Sequence, residues 1–99
     1  MFGLSDIDIN TIKNILASSP EVEQAIMFGS RAKGNYKPGS DIDIALKGQG
    51  LTNIVWKIHD QLEEETRMPY FFDVLDYDAI ASQDLKNHID RVGVVLYGK

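Results

Sequence analysis

Phe28-Gly29-Ser30-Arg31-Ala32-Lys33-Gly34, followed across residues 35–40 by Asp41-Ile42-Asp43-Ile44-Ala45-Leu46, is the stretch that decides how this chain is read. The seven residues ending at Phe28 are rich in Val, Ile and Phe and stop at a glycine, which predicts a strand over 22–28. Gly29 then permits a tight turn and a close backbone approach, because it has no Cβ. A short helix over 30–35 follows, and its first N–H groups, with the Ser30 hydroxyl, form a natural anion grip. Residues 36–40 carry Pro38-Gly39 and read as a loop. Residues 41–47 alternate acid with aliphatic side chains, the period-2 pattern of a half-buried strand.

Working outward, the pattern alternates between helix and strand. Ser5-Asp6-Ile7-Asp8 offers caps, and Ile9, Ile12, Ile15 and Leu16 recur at helical spacing until Ser18-Ser19-Pro20. Leu51, Ile54, Val55, Ile58 and Leu62 line one stripe of a helix over 51–67, which Met68-Pro69 breaks. A strand over 70–75 comes next. Ser82 caps a last helix carrying Leu85, Ile89 and Val92, Gly93 ends it, and 94–97 returns as a short edge strand. The fold class is α/β, in the α+β sense: a small mixed β-sheet with helices mainly on one face.

The chain has 99 residues, one domain's worth, with 43% hydrophobic and 25% charged residues. That composition excludes disordered, collagen-like and coiled-coil chains. Apolar runs are too short to cross a membrane, and the acidic start argues against a secretory signal. With no cysteine there is no disulfide and no thiolate metal site, so a cytoplasmic protein is expected. The formal net charge is −5. Such a chain is a poor general binder of nucleic acid, whose affinity comes from Lys and Arg on phosphates. A small phosphate-bearing ligand held through metal ions fits the acidity better.

The chemistry concentrates in three carboxylates. Asp41 and Asp43 lie two apart in a strand, so both project from one face with Cα atoms roughly 6.5–7 Å apart. Carboxylates so placed can lean around two divalent cations about 3.5–4 Å apart. Ile42, Ile44 and Leu46 point the other way and anchor the strand. Hard oxygen donors without His or Cys favour Mg²⁺ or Mn²⁺ over zinc. Asp73 stands alone in the apolar run Phe71-Phe72-Asp73-Val74-Leu75, a placement that is costly unless the acid is metal-bound or paired with a basic side chain. Asp76 and Asp78 fall past that strand and are weaker candidates.

Gly29-Ser30, a ten-residue gap and Asp41-Ile42-Asp43 resemble the signature of the minimal nucleotidyltransferases, antitoxin-type members of the DNA polymerase β-like superfamily. The Gly-Ser-Arg-Ala-x-Gly and Ser-Asp-Ile-Asp-Ile-Ala spelling is similar as well, and the likeness runs over essentially the whole of residues 1–99. The resemblance implies a nucleotidyltransferase fold. It also implies that Gly29 and Ser30 hold a nucleoside triphosphate, that Asp41 and Asp43 bind two Mg²⁺ or Mn²⁺ ions, and that Asp73 binds the catalytic ion and helps deprotonate the attacking hydroxyl. Arg31 and Lys33 are near enough to neutralise phosphate charge, or else simply face solvent. ATP is the implied donor and AMP the transferred group. The implied acceptor is a tyrosine of a HEPN-type ribonuclease toxin, with this chain as antitoxin. The alternative is a catalytically silent module that neutralises its partner by occlusion; a template-dependent polymerase is disfavoured by the acidic balance.

Larger members of that superfamily carry extra domains, so a half-site completed by a partner or by a second copy is expected. Trp56 lies about 140° from the aliphatic stripe of its helix, facing outward as an interface anchor or under a loop. Glu63-Glu64-Glu65 reads as a solvated helix end, and His59 and His88 lack ligand spacing. Tyr36 and Tyr97 could stack on a base or serve only in packing.

Overall fold

The computed structural model describes residues 1–98. Helix α1 (Asp6–Ala17) leads to strand β1 (Val22–Phe28), the short helix α2 (Gly29–Lys33) and strand β2 (Ile42–Gly48). Helix α3 (Val55–Glu65), strand β3 (Phe72–Asp76), helix α4 (Gln83–Val92) and strand β4 (Val94–Gly98) complete the order. The four strands form one sheet in the order β3-β2-β1-β4. β1 runs antiparallel to both β2 and β4, whereas β2 and β3 are parallel. A parallel pair needs a crossover, and α3 provides it.

Local chemistry explains the element ends. The Ser5 hydroxyl accepts from the Asp8 amide at 3.1 Å and caps α1, and the Ser82 hydroxyl accepts from Leu85 at 3.2 Å and caps α4. Gly93 donates its N–H to Ile89 O at 2.8 Å, which closes α4 and frees the chain to enter β4. Two short 3-10 turns escape a reading by periodicity. Residues Leu51–Asn53 form one, so the helix expected from residue 51 begins at Val55, and Tyr77–Ala79 form the other after β3.

Helices α1 and α3 cover one sheet face. Ile12, Leu16, Ile58 and Leu62 are fully buried there against Met27, Ile42, Ile44 and Leu46. Each such aliphatic contributes about 1.5–3 kcal/mol by leaving water. The opposite face carries a smaller cluster of Ile26, Phe28, Ala45 and Ile89, the last from α4. Alternation along β2 therefore puts Asp43 on the α4 side of the sheet, with Ala45 rather than with Ile42 and Ile44. No described helix is long and apolar enough to cross a membrane.

Candidate active site

Asp43 of β2 is the direct register partner of Asp73 in β3. Partners in a parallel pair project from the same face, on strands about 4.8 Å apart, so the two carboxylates are neighbours. Asp43 also pairs in register with Phe28, the last residue of β1, which places the Gly29 turn at its flank. Asp41 lies one residue ahead of β2 and is exposed, as Asp73 is, while Asp43 is half-buried.

Electrostatics follow from that placement. Burial, then the negative charges of Asp73 and Asp41, push the Asp43 carboxyl up from the ordinary 3.8 to about 6, against an opposing pull from Arg31. Among the described residues, no hydrogen-bond donor and no salt-bridge partner reaches Asp41, Asp43 or Asp73. The paired alternative for Asp73 is thereby set aside. Nor do any three described His, Cys, Asp or Glu side chains already surround a common point as a metal cage would. Repulsion among unneutralised carboxylates opposes such convergence. The donor set is nevertheless that of a hard divalent cation: oxygen-only, adjacent and, among the described residues, lacking any other partner.

Gly29 has φ +70°, and a Cβ built there would fall on the Asp43 carboxylate. The residue must be glycine both for its left-handed backbone and for the space that Asp43 occupies. Ser30 follows, half-buried, with its carbonyl accepting from Gly34 N at 3.0 Å. Lys33 is exposed at the end of α2.

Arg31 departs from both expectations held for it. It neither faces solvent nor offers a free guanidinium to a phosphate, being only 3% exposed. Nε and Nη2 donate to Ser40 O at 3.0 and 2.8 Å, and Nη1 donates to Phe2 O at 2.9 Å. Its Cζ lies 5.3 Å from the Tyr36 ring centre and 4.4 Å from that of Tyr70. A buried guanidinium needs partners for its nitrogens, and two backbone carbonyls engage all three of them, through three of its five N–H groups.

The remaining residues fall out by their partners. Asp76 accepts from Thr52 Oγ1 at 3.0 Å and from Asp78 N at 3.2 Å, a structural role at the end of β3. Glu63 is not simply solvated, since its Oε1 accepts from Phe72 N at 3.2 Å and helps seat β3. Tyr36 packs on Arg31, and Tyr97 packs against the main core. His59 sits beside Asp60 and Glu63, and His88 meets Phe28 edge to face. Trp56 is 65% exposed on the outside of α3.

A Gly-Ser turn opening a helix beside an Asp-x-Asp strand and a third acid on its parallel neighbour is the arrangement of a nucleotidyltransferase. The chain belongs to the polymerase beta nucleotidyltransferase family, whose model matches residues 10–99. It is 31% identical to the probable protein adenylyltransferase MntA of Haemophilus influenzae, over all of this chain and 91% of that protein. Its fold is similar to a chain of a toxin–antitoxin crystal structure with AMP-PNP, at a TM-score of 0.76 and 29% identity, covering 92% of this chain and 73% of the other. A chain of the complex between tri-AMPylated Shewanella oneidensis HEPN toxin and its MNT antitoxin shares the fold at a TM-score of 0.70 and 22% identity, covering 97% and 74%.

Proposed function

We propose that residues 1–99 act as one domain that transfers AMP from ATP to a hydroxyl of a HEPN-type toxin partner, a tyrosine by preference, and so serves as its antitoxin. The observation that carries the reading is a set of carboxylates with no partner among the described residues, Asp43 and Asp73 standing side by side next to the Gly29 turn. The likeness to an adenylyltransferase and to toxin–antitoxin assemblies supports the donor and the partner.

Gly29 and Ser30 hold the triphosphate, and Lys33 lends positive charge at its edge. Asp41, Asp43 and Asp73 are the residues that would hold two Mg²⁺ or Mn²⁺ ions. When bound, the ions supply the charge neutralisation that phosphoryl chemistry needs. Asp73 takes the proton of the acceptor hydroxyl. The acceptor oxygen then bonds to the α-phosphorus, the α–β bridging bond breaks, and pyrophosphate leaves in line.

The chain and its toxin partner are incubated with labelled ATP and Mg²⁺, beside an Asp41→Ala, Asp43→Ala double variant. Label on the partner with the native chain and none with the variant is expected. Neutralisation of the toxin by the double variant at full strength would replace this reading with occlusion.

A further inference from the structure

One buried cation links every segment that leads into the acidic site. Arg31 belongs to α2, two residues beyond the Gly29 turn. Through Ser40 O it grips the residue immediately before Asp41, with two of its N–H groups on that single carbonyl. Through the face of Tyr70 it touches the chain just ahead of β3, where Phe71 O accepts from Ile42 N at 2.9 Å and carries the β2·β3 pairing back toward Asp41. Through Phe2 O it ties down the N-terminal turn, over which Tyr36 lies so closely that a Cβ on Gly3 would strike its ring.

We propose that Arg31 is a positioning residue for the transfer site: by clamping Ser40 between the Gly29 turn and the Tyr70 segment, it sets where the Asp41 and Asp43 carboxylates stand relative to that turn. The proposal rests on the reading of the three aspartates as the metal-binding set. Residues 34–41 contain no regular helix or strand to hold Asp41 in place. The loop has its own closure, Ser40 N to Lys37 O at 3.0 Å and Lys37 N to Ser40 Oγ at 2.9 Å, but this turns the chain without tying it to the sheet. Arg31 supplies that tie. Lysine cannot replace it, because the fork of N–H groups reaches two carbonyls at once while the flat guanidinium lies against two rings.

The test is Mn²⁺ binding, followed by the loss of the free-ion electron paramagnetic resonance signal, on the native chain, Arg31→Met, Arg31→Lys and Asp43→Asn. Each is held well below its melting temperature, with folding checked by circular dichroism. Outer-shell supports of metal sites typically contribute about 10–100-fold in affinity. Arg31→Met is expected to weaken Mn²⁺ binding at least ~10-fold while folded, and Arg31→Lys to recover only part of that loss. A purely architectural arginine would lower the melting temperature and leave the affinity of the folded protein unmoved, which overturns the assignment. Should Arg31→Met not fold, Arg31→Lys decides alone: native Mn²⁺ affinity refutes the clamp, and weakened affinity supports it. A native chain that binds Mn²⁺ no better than Asp43→Asn overturns the reading of the aspartates, and this proposal with it.

Discussion

Replacing Asp43 by asparagine should make the metal-free chain more stable at neutral pH. In the folded chain the carboxyl is pushed from 3.8 to about 6, first by burial and then by Asp73 and Asp41. In the unfolded chain it returns to the ordinary range. Between those values the folded state binds the proton more tightly, so the Asp43 contribution is whole below about pH 4 and is lost as pH rises through 6. At 1.36 kcal/mol per pH unit the full difference is at most ~3 kcal/mol. Asp43 is only half-buried, and solvent screening reduces the figure to about 1–2 kcal/mol. Asparagine keeps the shape and removes the charge. In chelator, urea unfolding of Asp43→Asn should match the native chain near pH 4 and exceed it by about 1–2 kcal/mol at pH 7.5, or roughly 5–10 °C in melting temperature. A gap that does not change with pH, or a variant less stable at pH 7.5, would refute the electrostatic account.

Four further outcomes follow from the same geometry. Mn²⁺ or Mg²⁺ at 100 times its dissociation constant should stabilise the native chain by about 2.7 kcal/mol in calorimetry, and do nothing for the Asp41→Ala, Asp43→Ala double variant. Gly29→Ala should cost about 1–3 kcal/mol in urea unfolding, because it forces a left-handed backbone, and should abolish labelling of the partner by displacing the Asp43 carboxylate. Ile44→Ala, emptying the fully buried side of β2, should cost about 2–5 kcal/mol, a large part of the stability of a chain this size. Trp56→Ala should shift the melting curve of the isolated chain by no more than about 0.5 kcal/mol, its side chain being mostly in water.

Much of this architecture is written locally. The Ser5 and Ser82 caps, the Val22–Phe28 strand and the alternation along Asp41–Ile42–Asp43–Ile44 depend on neighbours within a few residues, and the structure realises them. The register of Asp43 with Asp73 is a long-range fact, yet an acid in the middle of an apolar strand signalled it, because such an acid needs a reason to be there. The strand order had no comparable local mark. Neither did the course of Arg31. A basic residue in a glycine-rich turn has the same local signature whether it ends in solvent, on a phosphate or in the interior. What holds it, the carbonyls of Phe2 and Ser40 and the rings of Tyr36 and Tyr70, is drawn from the loop that follows and from two segments distant in sequence. Glu63 was opaque for the same reason, since its partner, the Phe72 amide, lies nine residues on.

The one tryptophan of the chain lies on the outer side of α3 with its indole N–H on Asn53 O at 3.0 Å, and it is largely wet before any unfolding begins. Its emission should therefore already be red-shifted in the native state and change little on denaturation, making intrinsic fluorescence a poor gauge of folding here. For association the same position is an advantage. A protein that covers the outside of α3 would dry the indole and move its spectrum to the blue, whereas a small ligand at the aspartates would leave it dark to the event.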